Sequence, residues 1–337
     1  MSAAGLEVLT VGRISIDLYC GELGAGWQES RRFSKAVGGS PTNVAIAAAR
    51  LGRRAALYTK VGDDPFGEVA LGELRDFGVD VTYAGVAPGA LTPLAFAVLD
   101  PPEDPPLLFR REPPVPDFQL YPDEVEPKVV REVPILWISG GALAVDPCRS
   151  TVQGMLAARA ASPPARHPGS PDRAAAASSG RRAHTILDLD YRPAFWSSRG
   201  EASAVIGSAV SAATVAVGNR EECAVAVGTD DPSAAASALL DRGVELAIVK
   251  LGADGVLVAD AAGQRTVPPA PIDVLCGLGA GDAFGGALCH GLLSGWPADR
   301  AAAFANAAGG IVASRLLCSQ AMPYEREVRE LLEGSPA

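Results

Sequence analysis

The sequence predicts an α/β protein: a mostly parallel sheet covered on both faces by helices, with a small β-lid. Three observations lead there. Short apolar runs alternate with capped, glycine-closed helical stretches in the N-terminal part of the chain. Polar residues collect where strands end, the place at which open α/β sheets bind ligands. A proline-flanked hairpin within residues 92–116 breaks the rhythm and does not belong in a doubly wound sheet.

Residues 6–11 read as a buried strand ending in Gly12, which delivers residues 13–17 into a loop. Asp17 is exposed on this reading, either as a solvated carboxylate or as one that grips substrate hydroxyls. Gly38 and Gly39 let a ligand approach the backbone, and Ser40 with Pro41 starts a helix over 41–51 that Gly52 closes. Asn43, in its first turn, points to water or to a polyol. A strand at 55–61 and a helix at 66–77 closed by Gly78 complete the first units. Strands at 94–99 and 107–111 form the hairpin, and segments 18–37 and 92–116 together make the lid.

A strand at 135–139 and a helix at 147–160 follow. Residues 161–182, rich in Pro, Ala, Ser, Gly and Arg, cannot bury a core and read as a disordered surface insertion, a basic tether being the alternative. Strands at 184–190 and 214–217 end in polar groups, and 247–251, 256–259 and 264–267 form a meander. Helices at 283–293, 298–316 and 324–332 close the chain. Asn306, inside the second of these, reads as a packed helix amide unless a ligand is argued.

At 337 residues and 48% apolar content, the chain can build one large domain. A formal charge of −10 speaks against a nucleic-acid surface, so an anionic substrate must meet local positive charge. The six cysteines are scattered singly, as reduced core residues are. No basic leader and no membrane-length apolar run is present, which makes the cytoplasm the expected compartment and leaves no membrane partner. None of the three histidines has a metal-ligand or triad spacing, and no lysine follows a glycine as a Walker A loop requires.

Residues 274–287 run from an apolar segment through crowded glycines into a small-residue helix. Backbone N–H groups at such a turn, together with the positive end of the helix, suit a phosphate. Asp282 beside that anion is either a helix cap or a base that takes a proton from an attacking hydroxyl.

Taken together, Gly38-Gly39-x-x-x-Asn43, Asn219-x-x-Glu222 and Gly279-Ala280-Gly281-Asp282, in this order, resemble the ribokinase or PfkB family of carbohydrate kinases. The resemblance covers the whole chain except residues 161–182. It implies a single ribokinase-like domain, a three-layer α/β/α sandwich with a β-lid over the sugar, and ATP-dependent phosphorylation of a hydroxyl. On this likeness Asp282 is the catalytic base and the backbone of Gly279, Ala280 and Gly281 the anion hole. Asp17, Gly39 and Asn43 bind sugar. Asn219 and Glu222 organise Mg²⁺ and the nucleotide phosphates, while Lys250, Gly252, Gly255 and Asn306 border the adenosine. A homodimer through the β-lid also follows from it. Where the family writes Asp-Thr before the glycine loop this chain has Cys276-Gly277, which places a monovalent-cation site in doubt and predicts little effect of potassium.

The words Val11-Gly12-Arg13-Ile14-Ser15-Ile16-Asp17, Asp188-Leu189-Asp190-Tyr191-Arg192-Pro193 and Cys276-Gly277-Leu278-Gly279 resemble the branch acting on 5-dehydro-2-deoxy-D-gluconate in myo-inositol catabolism. The nearest rival is the branch acting on 2-keto-3-deoxygluconate. Either substrate is a sugar acid and needs an arginine, preferably a bidentate one. Arg111 on the hairpin and Arg192 at a strand end are the candidates, with a solvated lid charge the other reading of Arg111. A sugar- or nucleotide-sensing protein without turnover is the reading from another functional class.

Overall fold

The computed structural model describes residues 5–22, 24–101, 105–161 and 183–334. Apart from Ala161, the insertion read at 161–182 lies outside the described residues. The strands, in chain order, are β1 (Val8–Val11), β2 (Ser15–Cys20), β3 (Phe33–Gly38), β4 (Ala55–Gly62), β5 (Ala84–Ala87), β6 (Leu94–Ala97), β7 (Leu107–Arg110), β8 (Ile135–Ser139), β9 (His184–Asp188), β10 (Val215–Asn219), β11 (Leu246–Lys250), β12 (Val256–Asp260) and β13 (Gly263–Val267). Nine of them form one sheet in the order β13-β12-β11-β10-β9-β8-β1-β4-β5. It is parallel from β5 to β11, and beyond β11 the pairing is antiparallel, with β12 reversed and β13 running in the common direction again.

Helices cover both faces, giving the three-layer α/β/α ribokinase-like arrangement. One core packs α1 (Ser40–Arg50) and α2 (Pro65–Asp76) on the sheet beside three helices from the end of the chain. The opposite face carries α3 (Pro127–Glu132), α4 (Cys148–Ala160), α5 (Arg199–Val210), α6 (Arg220–Val227) and α7 (Pro232–Asp241). The C-terminal helices of the first face are α8 (Ala280–Leu293), α9 (Ala298–Ala313) and α11 (Glu325–Gly334), with the short α10 (Cys318–Ala321) between the last two. The central strands read as continuous apolar runs because both of their faces are covered. Among the described residues, no helix is long and apolar enough to cross a membrane.

The remaining strands form a second sheet, ordered β3-β2-β6-β7. Its inner face looks onto the ends of the main strands. Here the structure corrects the loop expected at residues 13–17: Ser15 to Cys20 is a strand paired to β3 and β6. The signal lies in the alternation of Ile14, Ile16, Leu18 and Cys20 with Ser15, Asp17 and Tyr19, a period of two that puts the polar set on one face. Asp17 is accordingly half-buried on that face rather than exposed in a loop. A second correction concerns Ser40. The N-cap of α1 is Gly39, at φ 100°, and Ser40 is already helical. A Cβ on Gly39 would come within 2.5 Å of the Arg13 carbonyl oxygen, so the chain can enter the helix this close to β1 only through glycine.

Helices α1 and α8 meet at the same kind of distance. A Cβ on Gly286 would lie 2.4 Å from that of Ala47 and 2.9 Å from the Val44 carbonyl oxygen. Helical Gly→Ala replacements ordinarily gain up to about 1 kcal/mol from propensity. We expect Gly286→Ala to lower the melting temperature instead, since overpacking costs about 1–3 kcal/mol. Gly154→Ala, in α4 with nothing within 4 Å of the new methyl group, should raise it. Thermal unfolding of the two variants checks the contrast, and a stabilised Gly286→Ala would mean that the helices are not in contact.

Candidate active site

Because β1, β8, β9, β10 and β11 are parallel and in register, their C-terminal ends bring Arg13, Ser139, Asp188, Asn219 and Lys250 to one edge of the sheet. Beyond this edge lies a cleft of about 570 Å³, counting its open mouth, between the main sheet and the inner face of the small one. Its walls include Arg13, Ser15, Asp17, Tyr19, Gly39, Ser40, Asn43, Phe109, Arg192, Gly279, Asp282 and Cys318.

Asp282 is the third residue of α8, whose N-cap Gly279 has φ 79°. The first turn leaves its amides without helical acceptors, and they carry the positive end of the helix. Asn43 donates from Nδ2 to Asp282 Oδ2 at 2.8 Å, and the Ser40 hydroxyl also hydrogen-bonds this carboxylate. With Nδ2 so engaged, Asn43 Oδ1 is buried without a donor, an acceptor left for a ligand hydroxyl. Burial pushes Asp282 above the usual carboxylate range, opposed by the Ser40 and Asn43 hydrogen bonds; Asp190 adds to the rise and Arg192 counters it.

Asp17 lies across the cleft. Its carboxylate accepts from Ser15 Oγ at 2.6 Å and Tyr19 Oη at 3.3 Å, both two residues away on the same strand face. It sits where a Cβ on Gly38, the β3 partner of Ser15, would be, which is why β3 carries glycine at that position. Burial pushes it up to about 6, against those two hydrogen bonds and the Arg13 charge. Tyr19 Oη also lies 2.8 Å from Cys318 Sγ, within hydrogen-bond reach of its thiol.

Behind the cleft, Asp190 binds two arginines: Arg13 Nη2 lies 2.5 Å from Oδ2 and Arg192 Nε 2.9 Å from Oδ1, with Ser139 Oγ donating as well. Burial alone would raise the Asp190 pKa, but the two guanidiniums hold it well below the carboxylate range. Beside it Lys250 Nζ stands 3.6 Å from Glu222 Oε2 and 3.4 Å from where a Cβ of Gly281 would be. Burial works against this ammonium, yet Glu222, Asp188 and Asp282 together keep its pKa above the usual lysine value. Asp188 is pushed up by burial, and its Oδ1 has no partner.

The sequence candidates thus fall into three groups. Asp17, Gly39, Asn43, Arg192, Gly279 and Asp282 share the cleft, with Ala280 and Gly281 continuing from it into α8. Asn219, Glu222 and Lys250 adjoin it from the β10 and β11 ends. Asn219 and Glu222 also cap α6 reciprocally, each side chain accepting from the other's backbone N–H. Gly252, Gly255 and Asn306 lie farther along, where Asn306 Nδ2 donates to the Pro268 carbonyl at 3.0 Å and a Cβ on Gly255 would meet the Val267 carbonyl at 2.2 Å.

Arg111 is not in the cleft wall. It is buried against Asp117 and stacked on Phe118 and Phe195, so neither sequence reading holds: it does not face the cleft as a substrate arginine, and it is not a solvated lid charge. Sequence reasoning did not single out Arg13, Ser15, Tyr19, Ser40, Asp190 or Cys318. The period-two pattern of β2 would have given Ser15 and Tyr19; nothing local announces Cys318, which arrives from 299 residues away.

The residues present fit a phosphate and a divalent cation. Lys250 and the α8 amides supply positive charge, while Glu222 and the unpartnered Asp188 oxygen offer hard oxygen ligands. Among the described residues no group of three or more metal-binding side chains occurs. A cation here would take its other ligands from water and phosphate, the habit of Mg²⁺.

Comparison with known proteins agrees. The model of the pfkB family of carbohydrate kinases matches residues 6–324. A 5-dehydro-2-deoxygluconokinase of Geobacillus thermodenitrificans (strain NG80-2) is 32% identical, with 97% of this chain and 93% of that protein covered. A double mutant of fructokinase from Vibrio cholerae O395, solved with fructose, ADP and potassium ion, superposes with a TM-score of 0.81 at 26% identity, covering 97% of this chain and 99% of that one. Fructokinase from Xylella fastidiosa with bound ATP gives 0.81 at 22% identity, over 97% and 98% of the two chains.

Since folding raises the pKa values of Asp282 and Asp17, their ionised forms cost stability at neutral pH, and that cost fades as pH falls through them. A base must nonetheless be ionised to act. If Asp282 is that base, Asp282→Asn should lose turnover by about 10² or more while melting no lower than the parent, with its advantage in melting temperature growing as pH rises above the ordinary carboxylate range. The acid limb of kcat/KM in the parent should fall above the ordinary carboxylate range. Turnover and calorimetry across that pH series check both, and near-normal turnover in Asp282→Asn would remove it as the base.

Proposed function

The chain belongs to the pfkB family of carbohydrate kinases, and from that premise we propose that it moves the γ-phosphoryl group of ATP to the terminal hydroxyl of a sugar acid. We take 5-dehydro-2-deoxy-D-gluconate as the preferred substrate and 2-keto-3-deoxygluconate as the runner-up. The observation that carries this reading is one cleft in which Asp282, at an anion-binding helix start, and arginine guanidiniums face the same space.

In this reading the substrate hydroxyl lies against Asp282, whose carboxylate accepts the proton as the new O–P bond forms and the bond to ADP breaks. Asn43 fixes the carboxylate by its hydrogen bond and offers its free oxygen to the sugar. Asp17 and the Gly39 backbone hold sugar hydroxyls. The amides of Gly279, Ala280 and Gly281 meet the transferring group, and Lys250 adds positive charge beside them. Asn219 and Glu222 stand where Mg²⁺, which would neutralise phosphate charge when bound with ATP, would be held; Gly252, Gly255 and Asn306 border the adenosine. The small sheet serves as the lid that keeps water from competing as acceptor.

We place the protein in the cytoplasm, a compartment that suits its six free, buried cysteines. We also propose a homodimer through the small sheet, whose outer face carries the exposed Phe33 and Leu108 beside Phe96.

The test is an ATP-consumption assay with the two sugar acids in competition with ribose, fructose and adenosine. The acids should win. A preference for a neutral sugar would overturn the substrate, and binding without turnover would make the protein a sensor. Rates in potassium and in a bulky inert cation at matched ionic strength should differ little, given Cys276 and Gly277; a strong potassium requirement would show that backbone carbonyls suffice for that ion.

A further inference from the structure

We infer that Arg13 is the residue that receives the substrate's carboxylate and so sets the preference for an acid, with Arg192 serving the phosphoryl side of the cleft and Arg111 serving neither. This rests on the sugar-acid reading above. Arg13 and Arg192 share the single carboxylate of Asp190, at 2.5 and 2.9 Å, so this group carries one positive charge in surplus. A bound carboxylate would cancel it.

Placement separates the two arginines. Arg192 is 42% exposed, and its charge acts on Asp282 and Glu222, the groups beside the anion-binding helix start. Arg13 is 7% exposed, and its charge acts on Asp17. The terminal hydroxyl of a six-carbon sugar acid must reach Asp282, which sends the carboxylate at the other end of its chain away from Asp282 and toward Arg13. The hydroxyls between them fall to Asp17 and Asn43.

Arg13 is also held ready. Thr42 Oγ1 donates to its carbonyl at 2.8 Å, its guanidinium lies over the Phe195 ring at 5.0 Å, and Nε passes so near Gly141 that a Cβ there would be 2.8 Å away. Nη2 goes to Asp190 and Nε has no acceptor. A planar fork fixed in advance loses little freedom on binding a carboxylate. Arg111, by contrast, is committed to Asp117, which also accepts from Ile14 N at 3.0 Å. It is a positioning residue that fixes the backbone next to Arg13.

The experiment compares kcat and KM for the sugar acid and for its alcohol analogue, with the carboxylate reduced to a hydroxymethyl group, at saturating ATP. In the parent, failure to favour the acid would count against the sugar-acid reading itself, before any variant is made. Given that preference, Arg13→Gln should raise the acid's KM by about tenfold or more beyond any change in the alcohol's, so that the acid-to-alcohol ratio of kcat/KM falls by that factor. Arg13→Lys, which keeps the charge on Asp190 but not the fork, should give a smaller loss in the same direction and decides the matter if the Gln variant does not fold. Equal losses on acid and alcohol, or an unmoved acid KM, would overturn the inference. Arg111→Lys should lower the melting temperature and leave the acid-to-alcohol ratio in place; a collapse of that ratio would overturn the split of roles.

Discussion

One carboxylate ties the site to the sheet. Asp190 joins residues at the ends of three adjacent strands, Arg13 after β1, Ser139 on β8 and Arg192 beyond β9, in a place where an unpaired charge would be prohibitive. Removing one member of such a buried pair costs about 3–5 kcal/mol, so its value lies in permitting only one arrangement. The chain accepts a φ of 23° at Asp190 to make it, a conformation seldom adopted by residues other than glycine. From this knot the cleft inherits both its geometry and its charge. The two guanidiniums cannot drift apart, and neither can swing out to solvent without leaving Asp190 exposed to the other alone.

The opposite wall depends on closeness rather than charge. Asn43 can reach Asp282 because α1 and α8 lie nearly backbone to backbone, with Gly286 against Ala47 and Gly285 against Val44. The alanines and glycines of these helices bury little area each, and their contribution is to let two first turns converge. The pair Asn43 and Asp282 is thus a product of packing between residues 239 positions apart.

That division explains what the sequence made legible. Strand and helix order, the hairpin outside the main sheet, and the glycine turn before Asp282 each rest on local chemistry, so they can be read from short words. Asp17 reads as a loop residue because Gly12 interrupts the apolar run before it, whereas the alternation of polar and apolar residues after Gly12 continues as a strand. Arg111 is hidden from sequence for another reason. A charged residue on a hairpin reads as exposed, and nothing near it in sequence shows that Asp117, Phe118 and Phe195 close over it. Arg13, next to a glycine at a strand end, was indistinguishable from a surface charge until Asp190, 177 residues later, supplied its partner.

Folding alone does not satisfy every polar group of the cleft. Asn43 Oδ1, Asp188 Oδ1 and Arg13 Nε are buried without partners, and Asp17 and Asp282 are carboxyls that burial holds against ionisation. Each such group costs about 1–3 kcal/mol relative to a paired one. Natural proteins retain such costs where a ligand removes them. A sugar hydroxyl supplies the donor that Asn43 lacks. A hydrogen bond to ionised Asp17 or Asp282 favours the charged form that burial disfavours, so a bound hydroxyl would draw Asp282, in its proposed role of base, toward the state in which it can accept a proton. In the proposed reaction, substrate recognition and readiness for proton transfer draw on the same atoms, so the groups that are costly to bury are the ones that would surround the reacting hydroxyl.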